Sequence, residues 1–97
     1  MKNKYTDNRL AEEFDLIVLT NDAHLSKGLP TGSLGTLTYS YTGLGRPMYG
    51  EFELADGERV EEPLKFRDFR VLDEKNERDL SLIMTYLLSR QPLKRKA

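Results

Sequence analysis

The sequence contains no cysteine and no tryptophan, a single histidine, four prolines, and no apolar run longer than the four residues of 16–19. Without cysteine there is neither a disulfide framework nor a thiolate zinc site. The lone histidine, His24, stands in a loop beside Asp22. A metal or proton-transfer site would need partners converging on it, and the ordinary reading is a solvated side chain. A four-residue apolar run falls far short of the ~20 residues that span a bilayer. The opening MKNKYTDNRLAEEFDL follows its lysines with acids, not with the apolar stretch of a signal peptide. Fifteen basic against sixteen acidic residues give a formal net charge of −1, so the whole molecule has no general attraction for nucleic acid or membrane. These absences lead us to expect a cytoplasmic protein with no cofactor, although many exported proteins also lack cysteine.

What is present organises itself around 34–54, LGTLTYSYTGLGRPMYGEFEL. Leu37, Tyr39 and Tyr41 alternate with Thr36, Thr38 and Ser40, a period of two in residue types that favour strands. Beyond a Gly/Pro turn over 42–47, Met48, Gly50, Phe52 and Leu54 fall on one face, and Tyr49, Glu51 and Glu53 on the other. Such a hairpin needs the rest of the chain to cover its apolar face. Upstream, Phe14 to Leu19 reads as a strand that becomes apolar on both faces. The loop 21–33 is long for a domain of this size, and either serves a function or folds back to plug one end with Leu25 and Leu29. Asp56-Gly57 marks a sharp turn into a strand over 59–66, where Pro63 points to an edge or a bulge. The apolar phase then switches from even positions (Leu64, Phe66) to odd ones (Phe69, Val71), which requires a bulge or tight turn at Arg67-Asp68.

From Asn76 the period becomes helical. Asn76 is the expected N-cap with Asp79 three residues on, and Leu80, Ile83, Met84, Leu87 and Leu88 form one apolar stripe. The spacing predicts a helix over about 77–89 that Pro92 stops. Leu82 and Tyr86 lie off the stripe. Either the helix sits in a groove between barrel and loop, or Leu82 and Tyr86 form a second face that meets a partner in a homodimer. The 97 residues thus make one domain with no internal repeat: a loose, polar lead-in at 1–12, a body of short strands at 13–73, a helix within 76–90 and a basic tail at 91–97. The expected class is mainly β (α+β), a small bent barrel of about five short antiparallel strands with a C-terminal α-helix.

Two segments, EFDLIVLTNDAHLSKGLPTGSLGTLTYSY and MYGEFELADGERVEEPLKFRDFRVL, together resemble a family of small bacterial proteins of unknown function. The correspondence runs through Asp15 to Asp22, through Gly32, Gly35 and Thr36 in a Gly-x-x-Gly-Thr turn, through Tyr49, Phe52 and Glu53, and through Gly57. The order of Glu and Phe differs from the family's Tyr-x-x-Glu-Phe. The resemblance covers about two thirds of the chain and leaves out the helix. It implies an SH3-like barrel and brings no catalytic residue with it.

Catalysis finds little support. The acids Glu51, Glu53, Asp56, Glu58, Glu61 and Glu62 crowd the second turn, but at alternating strand positions they read as a solvated face. Ser26, Ser33 and Ser40 have no suitably spaced histidine, and 28–35 precedes a strand and lacks the Gly-Lys-Ser/Thr ending of a phosphate loop. Tyr39, Phe52, Phe66 and Phe69 are expected in the core, leaving Tyr41 and Tyr49 as exposed aromatics. The function expected is a non-catalytic protein-interaction module, an accessory or immunity-type protein. Its candidate partner-binding residues are Tyr41, Tyr49, Glu51, Glu53, Glu58, Glu61 and Glu62, which would steer a basic partner. The alternative is a weak nucleic-acid-binding SH3/KOW-like barrel using Lys65, Arg67, Lys94, Arg95 and Lys96 beside the two tyrosines.

Overall fold

The computed structural model describes residues 3–39 and 48–90, with no account of the Tyr39 and Arg90 side chains. Five strands, β1 (Leu16–Leu19), β2 (Leu34–Tyr39), β3 (Met48–Glu53), β4 (Arg59–Leu64) and β5 (Phe69–Val71), form an antiparallel sheet in the order β4-β3-β2-β1-β5. One helix, α1 (Glu77–Arg90), follows. The protein is therefore a small α+β, mainly β, domain. The turn joining β2 to β3 lies outside the described residues, as do Tyr41 and the basic tail.

The sheet is forced to curl. β4 ends at Leu64 and β5 begins at Phe69, yet they occupy opposite edges. Strands ~4.8 Å apart would place the edges of a flat five-stranded sheet ~19 Å apart. The intervening link includes a 3-10 turn at Phe66–Asp68, whose rise of only ~2 Å per residue cannot cover that distance. The edges must approach each other, although β4 and β5 are not hydrogen-bonded as a ladder. The 3-10 turn is also the predicted phase switch: Leu64 is buried before it and Phe69 and Val71 after it. Pro63, in β4, falls on an edge strand as its missing donor requires.

Inside the curl lie Ile17, Leu19, Leu29, Leu37, Met48, Phe52, Leu64, Phe69 and Val71. Phe52 is fully buried, and its ring occupies the space where a Cβ at Gly35 or Gly50 would stand, 2.5 Å and 2.9 Å away respectively. Those two glycines are absences that seat an aromatic. Phe66, expected in this core, is instead 37% exposed, because the 3-10 turn rotates it out of strand phase. Of the two loop leucines, Leu29 plugs the core and Leu25 remains exposed.

The lead-in is docked rather than loose. Asp7 caps a 3-10 turn at Asn8–Leu10, the Asn8 side-chain amide donates to the carbonyls of Phe66 and Phe69, and Ala11 is buried in the core. Lys4 bridges Glu12 and Asp15 at 3.1 and 2.8 Å.

The helix begins as expected, with the Asp79 N–H donating to the Asn76 side chain at 3.1 Å. Its orientation reverses the expectation. Tyr86 is buried, sharing a 2.6 Å hydrogen bond with Thr36 of β2. The Asp79 carboxylate is buried too, accepting two hydrogen bonds from Arg70 of β5 at 2.8 and 2.9 Å and one from the Asp73 N–H. Thr36, Leu16, Val18 and Arg70 share the sheet face opposite the core, so α1 lies across the outside of β2, β1 and β5. Val18 and Leu72 are buried outside the main cluster. Tyr86, which one of the two sequence readings set against a homodimer partner, points to the sheet, and Leu82 is half-buried.

Candidate functional site

The apolar stripe expected to pack inward is the helix's outer face. Leu80, Met84, Leu87 and Leu88 are 43, 55, 50 and 64% exposed, and Ile83 is half-buried at the stripe's edge. With 100° per residue, these five positions fall in one arc of α1, bordered on one side by Ser81 and Thr85 and on the other by Asp79 and Tyr86.

Phe14 extends this surface. It precedes β1, is 73% exposed, and is the one non-glycine residue with positive φ (75°) among those described. The conformation is held from both sides. The Phe14 N–H donates to the Leu37 carbonyl at 2.6 Å, the Asp15 N–H donates to the Glu12 carbonyl, and the Asp15 carboxylate accepts from the Glu12 N–H at 2.7 Å. An aromatic residue in the left-handed region costs about 1–2 kcal/mol. Here that cost presents an apolar ring to water. A groove of ≈ 440 Å³, walled by Leu16 and Leu72 but also by Lys4, Asp15 and Glu74, reaches from Phe14 to Ile83 and Leu87. Single exposed apolar residues are ordinary; a contiguous set on one helix and its neighbour marks a contact surface.

The acidic edge is less uniform than the sequence suggests. Glu53 and Glu58 are exposed. Glu51 and Glu61 lie directly opposite each other in the β3–β4 ladder, and the Thr38 hydroxyl donates to Glu61 at 2.9 Å. Glu62 alternates to the other face and is buried, so it does not belong to a solvated strip. Tyr49 is half-buried in β3.

Glu62 instead meets His24, for which the sequence alone suggests a solvated place. The imidazole is 11% exposed, with Nδ1 3.1 Å from the Glu62 carboxylate and Nε2 3.0 Å from that of Asp68. Asp68 also accepts from the Lys65 N–H and the Asn21 amide. Burial pushes the Asp68 carboxyl up, but these donors and His24 together outweigh it and hold the group below the usual range. The two acids sit on opposite sides of the ring and cannot converge on a cation, and among the described residues no group of three or more His, Asp or Glu could hold a metal ion. With both nitrogens engaged, His24 offers neither a free base nor a nucleophile. It works as a clasp, tying the loop after β1 to edge strand β4 and to the turn before β5. The partners lie 38 and 44 residues away in sequence, which is why no local pattern showed them.

Of the basic candidates, Lys65 and Arg67 are exposed, but Lys65 stands at the N-cap of the 3-10 turn and Arg67 within it, so they do not share a strand face. Arg70 is committed to Asp79. Lys94, Arg95 and Lys96 lie outside the described residues, and no helix among the described residues is long and apolar enough to cross a membrane. Comparison with family models, with curated proteins and with solved structures returns no match for this chain.

Proposed function

We propose that the protein is a non-catalytic protein-interaction module that docks on its partner through Phe14 and the outer face of α1. The observation that carries this reading is the continuous exposed arc of Leu80, Met84, Leu87 and Leu88 beside the strained, exposed Phe14. At about 25 cal/mol per Å², covering such a surface gives a substantial drive for association. An accessory or immunity-type role in the cytoplasm, masking the surface of another macromolecule, is the use that agrees with the small size and the engaged His24. Kinship with the small bacterial family rests on the turn and strand residues it shares.

The test is a cross-linking capture from native lysate with wild type, Met84→Glu, and a Glu58→Lys/Glu61→Lys double variant in parallel. We expect a stoichiometric protein partner, a second copy included, with wild type and the double variant, and its loss with Met84→Glu. Loss with the double variant alone would move docking to the acidic strip. No stoichiometric complex in any sample would overturn the module reading. A second reading has one observation in its favour: Phe66 and Arg67 line a cleft of ≈ 480 Å³ together with Arg9, which is paired with Asp7. If this cleft binds nucleic acid, a labelled oligonucleotide will bind at low salt and be released as salt rises.

A further inference from the structure

Resting on the interaction-module reading, we infer that the occupant of the α1 face is a second copy of this chain, its helix antiparallel to the first across a two-fold axis beside Met84. The stripe is self-complementary under that operation. Leu80, Met84 and Leu88 are spaced i−4, i, i+4, so reversing one helix against another sets Leu80 against Leu88 of the partner and Met84 against Met84. Leu87 and Ile83 fill the spaces between, and the contact centre carries no charge. A flexible thioether at the crossing point tolerates its own image, since methionine adapts to irregular gaps.

Charge supports the antiparallel sense. Where α1 starts, Asp73, Glu74 and Glu77 outnumber Lys75 and Arg78 by one charge, whereas the sequence that follows α1 holds Lys94, Arg95 and Lys96 and no acid. Antiparallel packing sets the slightly acidic start of each helix toward its partner's C-terminal end, and it opposes the two helix dipoles, which a parallel pair would align. Leu80, Met84, Leu87 and Leu88 are each 43% or more exposed, so the stripe offers an apolar centre for an interface of the standard ~800 Å² per partner.

The test is sedimentation equilibrium on the full chain from 1 µM to several hundred µM, for wild type, Met84→Glu, Met84→Lys and an equimolar mixture of the two variants. Met84 is 55% exposed, so either charge leaves the fold intact, checked by circular dichroism. The expected results are a wild-type dimer, a dissociation constant raised about 100-fold or more in each single variant, and recovery of a dimer in the mixture, where the introduced carboxylate of one variant faces the introduced ammonium of the other across the axis. A wild type that stays monomeric throughout overturns the homodimer. The module reading then stands or falls separately, on whether a lysate partner is lost with Met84→Glu. A dimer indifferent to Met84→Glu, or variants that fail to recover as a mixture, equally overturn the proposed axis.

Discussion

At the scale of single residues, small absences and one strain decide the most. Adding one methyl at Gly35 collides with the Phe52 ring and with the Glu51 carbonyl, 2.5 and 2.6 Å from where it would sit. Backbone cannot retreat as a flexible side chain does, so Gly35→Ala is expected to cost about 1–3 kcal/mol in urea unfolding. Phe14→Gly should act in the opposite direction. It relieves the left-handed backbone and raises free-chain stability by about 1 kcal/mol, visible as a higher Tm, while weakening association. Sensitivity to acid also resides in single side chains. Arg70 holds the Asp79 carboxyl below its ordinary range, and the donors around Asp68 do the same against its burial. A carboxyl lowered in the folded state contributes stability that is complete above its unfolded value of about 4 and disappears as pH falls through the lowered folded value. Denaturant melts should therefore show stability dropping below about pH 4, with a shallower drop in Asp79→Asn. The glycine contacts and acid partners were not legible in the sequence, because they join residues brought together only by the fold.

At the scale of elements, strands were easier to read than surfaces. The period-two stretches from Leu34 and from Met48, the turn at Asp56-Gly57 and the phase switch before Phe69 all fall where the alternation places them. The helix too was legible in its cap and its length. Its inward face was not. Amphipathicity shows that a stripe is apolar, but not what covers it. Here Tyr86 and Asp79 settle the matter, since a hydroxyl and a carboxylate find Thr36 and Arg70 on the outer sheet face. This anchoring can be tested. Asp79→Ala leaves Arg70 without its partner and α1 without its tie to the Asp73 N–H, a loss of about 2 kcal/mol. Hydrogen exchange should quicken across α1 and leave β2 and β3 protected. His24→Ala should instead loosen the loop 21–33 and the β4 edge, with α1 unaffected.

At the scale of the whole molecule, the sheet order carries a consequence for how the chain is made. The interior strand of highest apolar content, β1, is hydrogen-bonded to β2 on one side and to β5 on the other. The first neighbour follows it closely in sequence, but Ile17 meets Val71 only after most of the polypeptide has been synthesised. Until Phe69–Val71 leaves the ribosome, one edge of Leu-Ile-Val-Leu is unpaired, a template for any other extended segment. A nascent or truncated chain ending before β5 should therefore aggregate. Completion of the native state waits on the last strand, and the cell has to shield the first one in the meantime.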